Sequence, residues 1–181
     1  MGRPPRIQQP GAIYHVTAQA NRSEALFLDS ADRRMFFLFV CRTVDHHGWH
    51  VHAWCALSTH YHLLITTPRG DLAAGMHRLQ SRYAHWFNYE HTELGHVFRR
   101  RYGARHVQTD EHLRWCYRYI ALNPVNAGLC DRPEQWRWSS FAWLFGRPAM
   151  ELPSDERHLF CHFGDGDEGR TRLRRYVEMG L

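Results

Sequence analysis

The order in which hydrophobic periodicity changes along the chain constrains its fold more than any single motif. Ala12 to Ala18 alternates as a strand behind the boundary residue Gly11. A loop spans Asn21 to Asp29, and Asp29 or Ser30 can cap the helical stretch that follows. That stretch carries Phe36, Phe37, Phe39, Val40 and Val44 on its apolar surface, runs to about His46 and ends at Gly48. Trp49 to Cys55 and His60 to Thr66 read as two strands joined by a tight turn near Ser58. Pro68-Arg69-Gly70 breaks the pattern. Asp71 then opens a helix reaching about His91, with Leu72, Met76, Leu79, Tyr83, Trp86 and Phe87 near helical spacing. Ala104 to Gln108 reads as a short strand. Asp110 caps a third helix, expected to stop near Leu122 because Pro124 disfavours helical geometry at Asn123. This order specifies an α+β fold. The simplest form is a ferredoxin-like β-α-β-β-α-β core, an antiparallel sheet with helices on one face, to which the third helix is added.

The chain of 181 residues is long enough for one domain with a proper core. Hydrophobic residues at 44% and aromatics at 14% exclude wholesale disorder. Residues 1–145 hold all the elements above, together with an aromatic stretch from Trp136 to Phe145 expected to pack on the body. Residues 146–181 read as a C-terminal appendage, helical in the charged segment Arg170 to Val177. No apolar run approaches the ~20 residues of a membrane span. Met1-Gly2-Arg3-Pro4-Pro5-Arg6 lacks the apolar core of a signal peptide, so a cytoplasmic protein without membrane contact is expected. Cys41, Cys55, Cys116, Cys130 and Cys161 are odd in number and contain no Cys-x-x-Cys, which argues against a zinc ribbon and a disulfide framework and for packing thiols.

The formal charge of +5 and the pI of about 9.2 suit a polyanionic partner such as nucleic acid. All 23 basic residues are arginine. Guanidinium pairs with phosphate oxygens in bidentate fashion. A GC-rich coding bias explains the same replacement, and isoleucine and asparagine, at four each, are also scarce. The sign of the charge therefore carries information, and the choice of arginine carries little.

Two constellations carry chemistry. Side chains alternate along a strand, so His60 and His62 project from one face with Leu64 while Tyr61, Leu63 and Ile65 take the other. Two imidazoles so spaced can chelate one cation. His50 and His52 repeat the spacing one strand earlier, on a face shared with Trp54, and spacing does not choose between the pairs. The second constellation is the Asp110–Leu122 helix. Its apolar stripe is Leu113, Cys116, Tyr117 and Ile120, so Tyr117 is a core residue. At 100° per residue Tyr119 lies about 110° from the stripe centre, at its border, and Asn123 continues that border if the last turn holds. A boundary tyrosine can pack its ring and keep an accessible hydroxyl, which is what a nucleophile needs. It can equally be a boundary residue without chemistry.

Taken together these motifs resemble the HUH single-tyrosine transposases of the IS200-like type, and most closely the branch of REP-associated tyrosine transposases. The likeness covers about residues 3–145. Pro10-Gly11-Ala12-Ile13-Tyr14-His15-Val16-Thr17 is similar to the family's opening strand, and Leu57-Ser58-Thr59-His60-Tyr61-His62-Leu63-Leu64-Ile65 to its histidine strand. Gly95-His96-Val97-Phe98-Arg99-Arg100-Arg101-Tyr102 resembles its basic segment. Arg118-Tyr119-Ile120-Ala121-Leu122-Asn123-Pro124-Val125-Asn126-Ala127-Gly128-Leu129 resembles its tyrosine helix, and Trp138-Ser139-Ser140 the exit from it. Two departures stand out. Asn123 replaces a glutamine of related branches, one methylene longer, and Leu57-Ser58-Thr59 replaces Met-Pro-Asn or Met-Asp-Asn. The resemblance selects His60 and His62 over His50 and His52.

What the resemblance implies is a transposase with Tyr119 as nucleophile and His60, His62 and Asn123 as ligands of a divalent cation, Mg²⁺ or Mn²⁺. It would cut and rejoin single-stranded DNA bearing palindromic hairpins through a 5′-phosphotyrosine intermediate, as a monomer or a homodimer. DNA contacts are expected from Arg99, Arg100, Arg101 and Arg105, with help from Arg3 and Arg6, and stacking on unpaired bases from Phe98 and Tyr102. A solvated basic loop explains the same residues. No general base for the tyrosine stands out, and Arg114 or Arg118 is the candidate to favour a phenolate. The competing readings are a domesticated hairpin-binding protein, a larger relaxase-type enzyme and a metal-dependent nuclease using water.

Overall fold

The computed structural model describes residues 8–21, 25–147 and 155–181. The elements are β1 (Ala12–Gln19), α1 (Ser30–His47), β2 (His50–Ala56), β3 (His60–Thr67), α2 (Leu72–Glu90), β4 (Gly103–Val107), α3 (Asp110–Asn126), α4 (Ser140–Phe145) and α5 (Gly166–Glu178). The strands form one antiparallel sheet in the order β2-β3-β1-β4, the ferredoxin-like arrangement expected from the order of elements. The helical appendage reaches further than Arg170 to Val177, over the whole of α5.

One face of the sheet is an aromatic core under α1 and α2. Tyr61 on β3 is fully buried, its ring 4.6 Å from Phe36 of α1, while Gln80 of α2 donates to its hydroxyl at 3.2 Å. Asp29 caps α1, accepting from the backbone of Ala31 and Asp32. The Asp71 carboxylate takes hydrogen bonds from His47 at 2.6 Å and Trp49 Nε1 at 2.9 Å, and so clips the start of α2 to the end of α1. Gly75 lets α2 sit on Trp49: a Cβ there would meet the indole at 2.1 Å.

The opposite face takes α3. Thr109, not Asp110, caps this helix, its hydroxyl accepting from the amide of His112. The helix also does not stop near Leu122. It runs through Pro124 to Asn126, and Ala127 donates to the carbonyl of Asn123. Proline removes one helical hydrogen bond and crowds the turn before it. Here Ile120 to Pro124 are all buried, and their packing holds the last turn helical.

β2 departs from simple alternation. Val51 pairs with Ile65 and Ala53 with Leu64, so His52 is an extra residue bulged into the strand. The bulge turns Trp54 to the α1 side, opposite Leu63 and 6.2 Å from Phe37, so it does not share a face with the two histidines. The free edge of β2 is covered by the stretch from Trp136 to Phe145. The amide of Ala56 donates to Trp138, Trp136 Nε1 donates to the Ala56 carbonyl, and Ser140 Oγ accepts from the Trp54 amide. This blunts an edge that would otherwise pair with other chains.

Candidate active site

The register of the two inner strands, β1 and β3, gathers the histidines. His60 and His62 on β3 face β1 residues Gln19 and Thr17, and His15 of β1 lies on the same side of the sheet, one step along from His62. A hydrogen bond of 3.0 Å joins His15 Nε2 to His62 Nδ1 in the buried interior. Two tautomers satisfy it. If His15 donates, His62 is left with a buried N–H at Nε2 and no acceptor. If His62 donates, its Nε2 carries a bare lone pair. Nε2 is buried and has no protein partner. The second tautomer leaves no orphaned proton, and it is the form in which imidazole ligates a metal.

His60 completes the arrangement. Its ring lies 5.1 Å from that of His62, Thr59 Oγ1 meets its Nδ1 at 3.0 Å, and a hydrogen bond links it to the Asn123 side chain. Asn123 is 9% exposed and reaches this place only because α3 continues past its expected end. His60, His62 and Asn123 therefore converge, offering two imidazole nitrogens and an amide oxygen. Burial keeps these imidazoles neutral. It is the main cause that lowers the His62 pKa to about 2, ahead of the neighbouring His15 and His60, and the His15 pKa to about 4, ahead of Arg105 and His112. The same desolvation lowers His60, against the opposing hydrogen bond to Asn123. Neutral imidazole is the metal-binding form, so the donor set fits a divalent cation.

Tyr119 stands over these rings. It is half-buried, edge-on to His62 at 5.3 Å and to His15 at 5.8 Å, and Trp115, one turn earlier, stacks on it at 4.9 Å with the planes 14° apart. Tyr117 is different. It is 3% exposed, its hydroxyl donates to the carbonyl of His158 at 3.2 Å, and burial raises its pKa well above the ordinary tyrosine value. The apolar stripe on the helix sorted these two tyrosines correctly.

A cleft of about 1080 Å³ opens beside Tyr119 and His62 and wraps round the edge strand β4. Arg100, Arg101 and Arg105 line it, and Tyr102 joins them. Arg99 does not; its amide donates to Gln19 on β1 and its side chain is exposed elsewhere. Phe98 is not a free stacking platform, since its ring packs 6.4 Å from Tyr61 and 6.2 Å from Tyr83. Arg118 is not placed to assist Tyr119: its guanidinium donates twice to the Tyr176 carbonyl and lies 3.8 Å from the Tyr176 ring. Arg3 and Arg6 lie outside the described residues.

Sequence reasoning gave no role to His15 or Trp115. His15 stood in the opening strand, and alternation alone puts it on the face opposite Tyr14 and Val16, but only the β1–β3 register brings it to His62. Trp115 was legible as the i−4 neighbour of Tyr119. The other histidine pair goes elsewhere. His52 bonds Thr66 and the carbonyl of His158, and His50 stacks on His158 at 4.3 Å.

Among the described residues no helix is long and apolar enough to cross a membrane. Comparison with curated proteins found no match. Among solved structures, that of a REP-associated tyrosine transposase bound to a REP hairpin superposes with a TM-score of 0.69 at 19% identity, covering 86% of this chain and 93% of the other. At that identity the likeness shows a shared fold. The sequence model of the IS200-like transposases matches residues 8–123, a span that holds the histidine strand, Tyr119 and Asn123. This chain belongs to the IS200-like transposase family.

Proposed function

We propose that the protein is a metal-dependent transposase that cleaves and rejoins single-stranded, hairpin-bearing DNA through a 5′-phosphotyrosine link at Tyr119. One observation carries this reading. The Tyr119 ring packs against His62, whose buried Nε2 has no protein partner. A nucleophile and a metal ligand thus share one end of one cleft. Membership of the transposase family and the hairpin bound by the structural neighbour support the substrate class.

A divalent cation, Mg²⁺ or Mn²⁺, held by His60, His62 and Asn123, supplies Lewis-acid polarisation of the scissile phosphate. Imidazole nitrogen suits the softer Mn²⁺ at least as well as Mg²⁺. The chain's own residues do the rest. The Tyr119 oxygen attacks phosphorus and a P–O bond to tyrosine forms. The bond from phosphorus to the 3′ oxygen breaks, the phenol proton is released, and the departing oxygen takes one up as a free 3′-OH. The reverse attack by that hydroxyl, or by one on another strand, rejoins DNA and frees Tyr119. The phosphodiester bond energy is conserved in the tyrosine link, so no nucleotide is consumed. Arg100, Arg101 and Arg105 hold the backbone phosphates along the cleft, and Trp115 holds the phenol ring in place.

The test incubates purified protein with labelled single-stranded hairpin DNA from the gene's own flanks and Mn²⁺ or Mg²⁺, then resolves the products on a denaturing protein gel. A labelled protein–DNA adduct that needs metal and is lost in Tyr119→Phe and His62→Ala is expected. Cleavage without an adduct would mean a nuclease using water. Binding without cleavage would mean a domesticated DNA-binding protein.

A further inference from the structure

We propose that His52, Cys161 and His162 form a second metal site, suited to Zn²⁺, that fastens the C-terminal segment to the sheet. The three residues offer donor atoms that all lie within 4.8 Å of one another. They come from distant parts of the chain: His52 is the bulged residue of β2, and Cys161-His162 follow a short 3-10 turn at Glu156–Leu159.

Two further observations point to a ligand. His162 Nε2 is buried and has no protein partner. His52 Nδ1 faces the His158 carbonyl oxygen at 3.0 Å, and a carbonyl only accepts, so Nδ1 carries the proton and Nε2 the lone pair. An imidazole whose far N–H is tied to a backbone carbonyl is the arrangement that metal-bound histidines favour. The Thr66 hydroxyl, 2.7 Å from Nε2, now occupies that lone pair and would yield it on binding.

The donor set selects the ion. Two imidazoles and a thiolate are borderline-to-soft ligands, which favour Zn²⁺ over the oxygen-seeking Mg²⁺ and Mn²⁺. Tetrahedral zinc holds such donors about 3.4–3.6 Å apart, so the cluster must close by roughly 1 Å. Cys161 is exposed and follows a turn, so its side chain can make that movement, and a water completes the fourth position. The site shares no ligand with His60, His62 and Asn123. Its effect is structural. The His158 carbonyl accepts from both His52 and Tyr117, so the metal would lock the segment that ties β2 to α3.

The test adds Co²⁺ as a spectroscopic stand-in, then Zn²⁺, to full-length reduced protein. Wild type should show a thiolate-to-cobalt charge-transfer band and the visible bands of a tetrahedral ion, displaced by one equivalent of Zn²⁺. The band should persist in His60→Ala/His62→Ala and vanish in Cys161→Ser, an exposed and therefore benign substitution. Zinc should raise the melting temperature of wild type but not of Cys161→Ser. No thiolate band, or a band that survives in Cys161→Ser, would overturn the site. So would a zinc effect on melting that Cys161→Ser leaves unchanged.

Discussion

At the scale of single residues, His15 is the one whose importance grew most between sequence and structure. It is not itself an expected metal ligand, yet one buried hydrogen bond of 3.0 Å holds the His62 ring in its direction. Outer partners of this kind typically change metal affinity by 10–100-fold. His15→Ala should therefore weaken Mn²⁺ binding by about that factor in a calorimetric titration, with the fold intact by circular dichroism. Unchanged affinity would remove His15 from the site. Why its role was hidden is simple. A histidine one strand away is invisible until the register is known, and fifteen histidines make any single one weak evidence. Tyr119 and Tyr117, by contrast, were separable from the sequence, because 100° per residue suffices to tell a stripe from its border.

At the scale of elements, two local rules met stronger forces. Pro124 was expected to end α3, but burial of Ile120 to Pro124 keeps the turn helical and delivers Asn123 to His60. Strict alternation was expected to place Trp54 with His50 and His52, but the bulge at His52 turns it to the other face. Neither a bulge nor a packed proline leaves a local signature. The α2 helix offers a sharp test of packing against propensity. Alanine favours a helix over glycine by roughly 1 kcal/mol, yet Gly75→Ala would press a methyl into Trp49. It should lower stability by about 1–3 kcal/mol in urea unfolding. A stabilised variant would contradict the fit of α2 on Trp49. The basic segment is resolved in the same way. Arg101 lines the cleft and Arg99 does not. Arg101→Ala should reduce the dependence of log affinity on log salt for single-stranded hairpin DNA by about 0.7, the value of one phosphate contact, and Arg99→Ala by much less. Equal slopes for the two variants would return the segment to a solvated basic loop.

At the scale of the whole molecule, the order of periodicities was enough to give an antiparallel sheet of the ferredoxin-like kind with α1 and α2 on one face. The path of the C-terminal residues was not legible, because their contacts are long-range and polar. His158 receives Tyr117 and His52, and the Tyr176 carbonyl receives Arg118. These contacts anchor the back of α3 while its front presents Tyr119 to the cleft. The proposed function rests on that division of one helix into a packed tyrosine, Tyr117, and one that lines the cleft, Tyr119. Its most direct measurement is to trap the protein–DNA adduct with Mn²⁺ present, digest the protein and identify the nucleotide-bearing peptide by tandem mass spectrometry. The phosphate should map to Tyr119, with none on Tyr117. A phosphate on Tyr117, or on any residue outside α3, would contradict the assignment of the site.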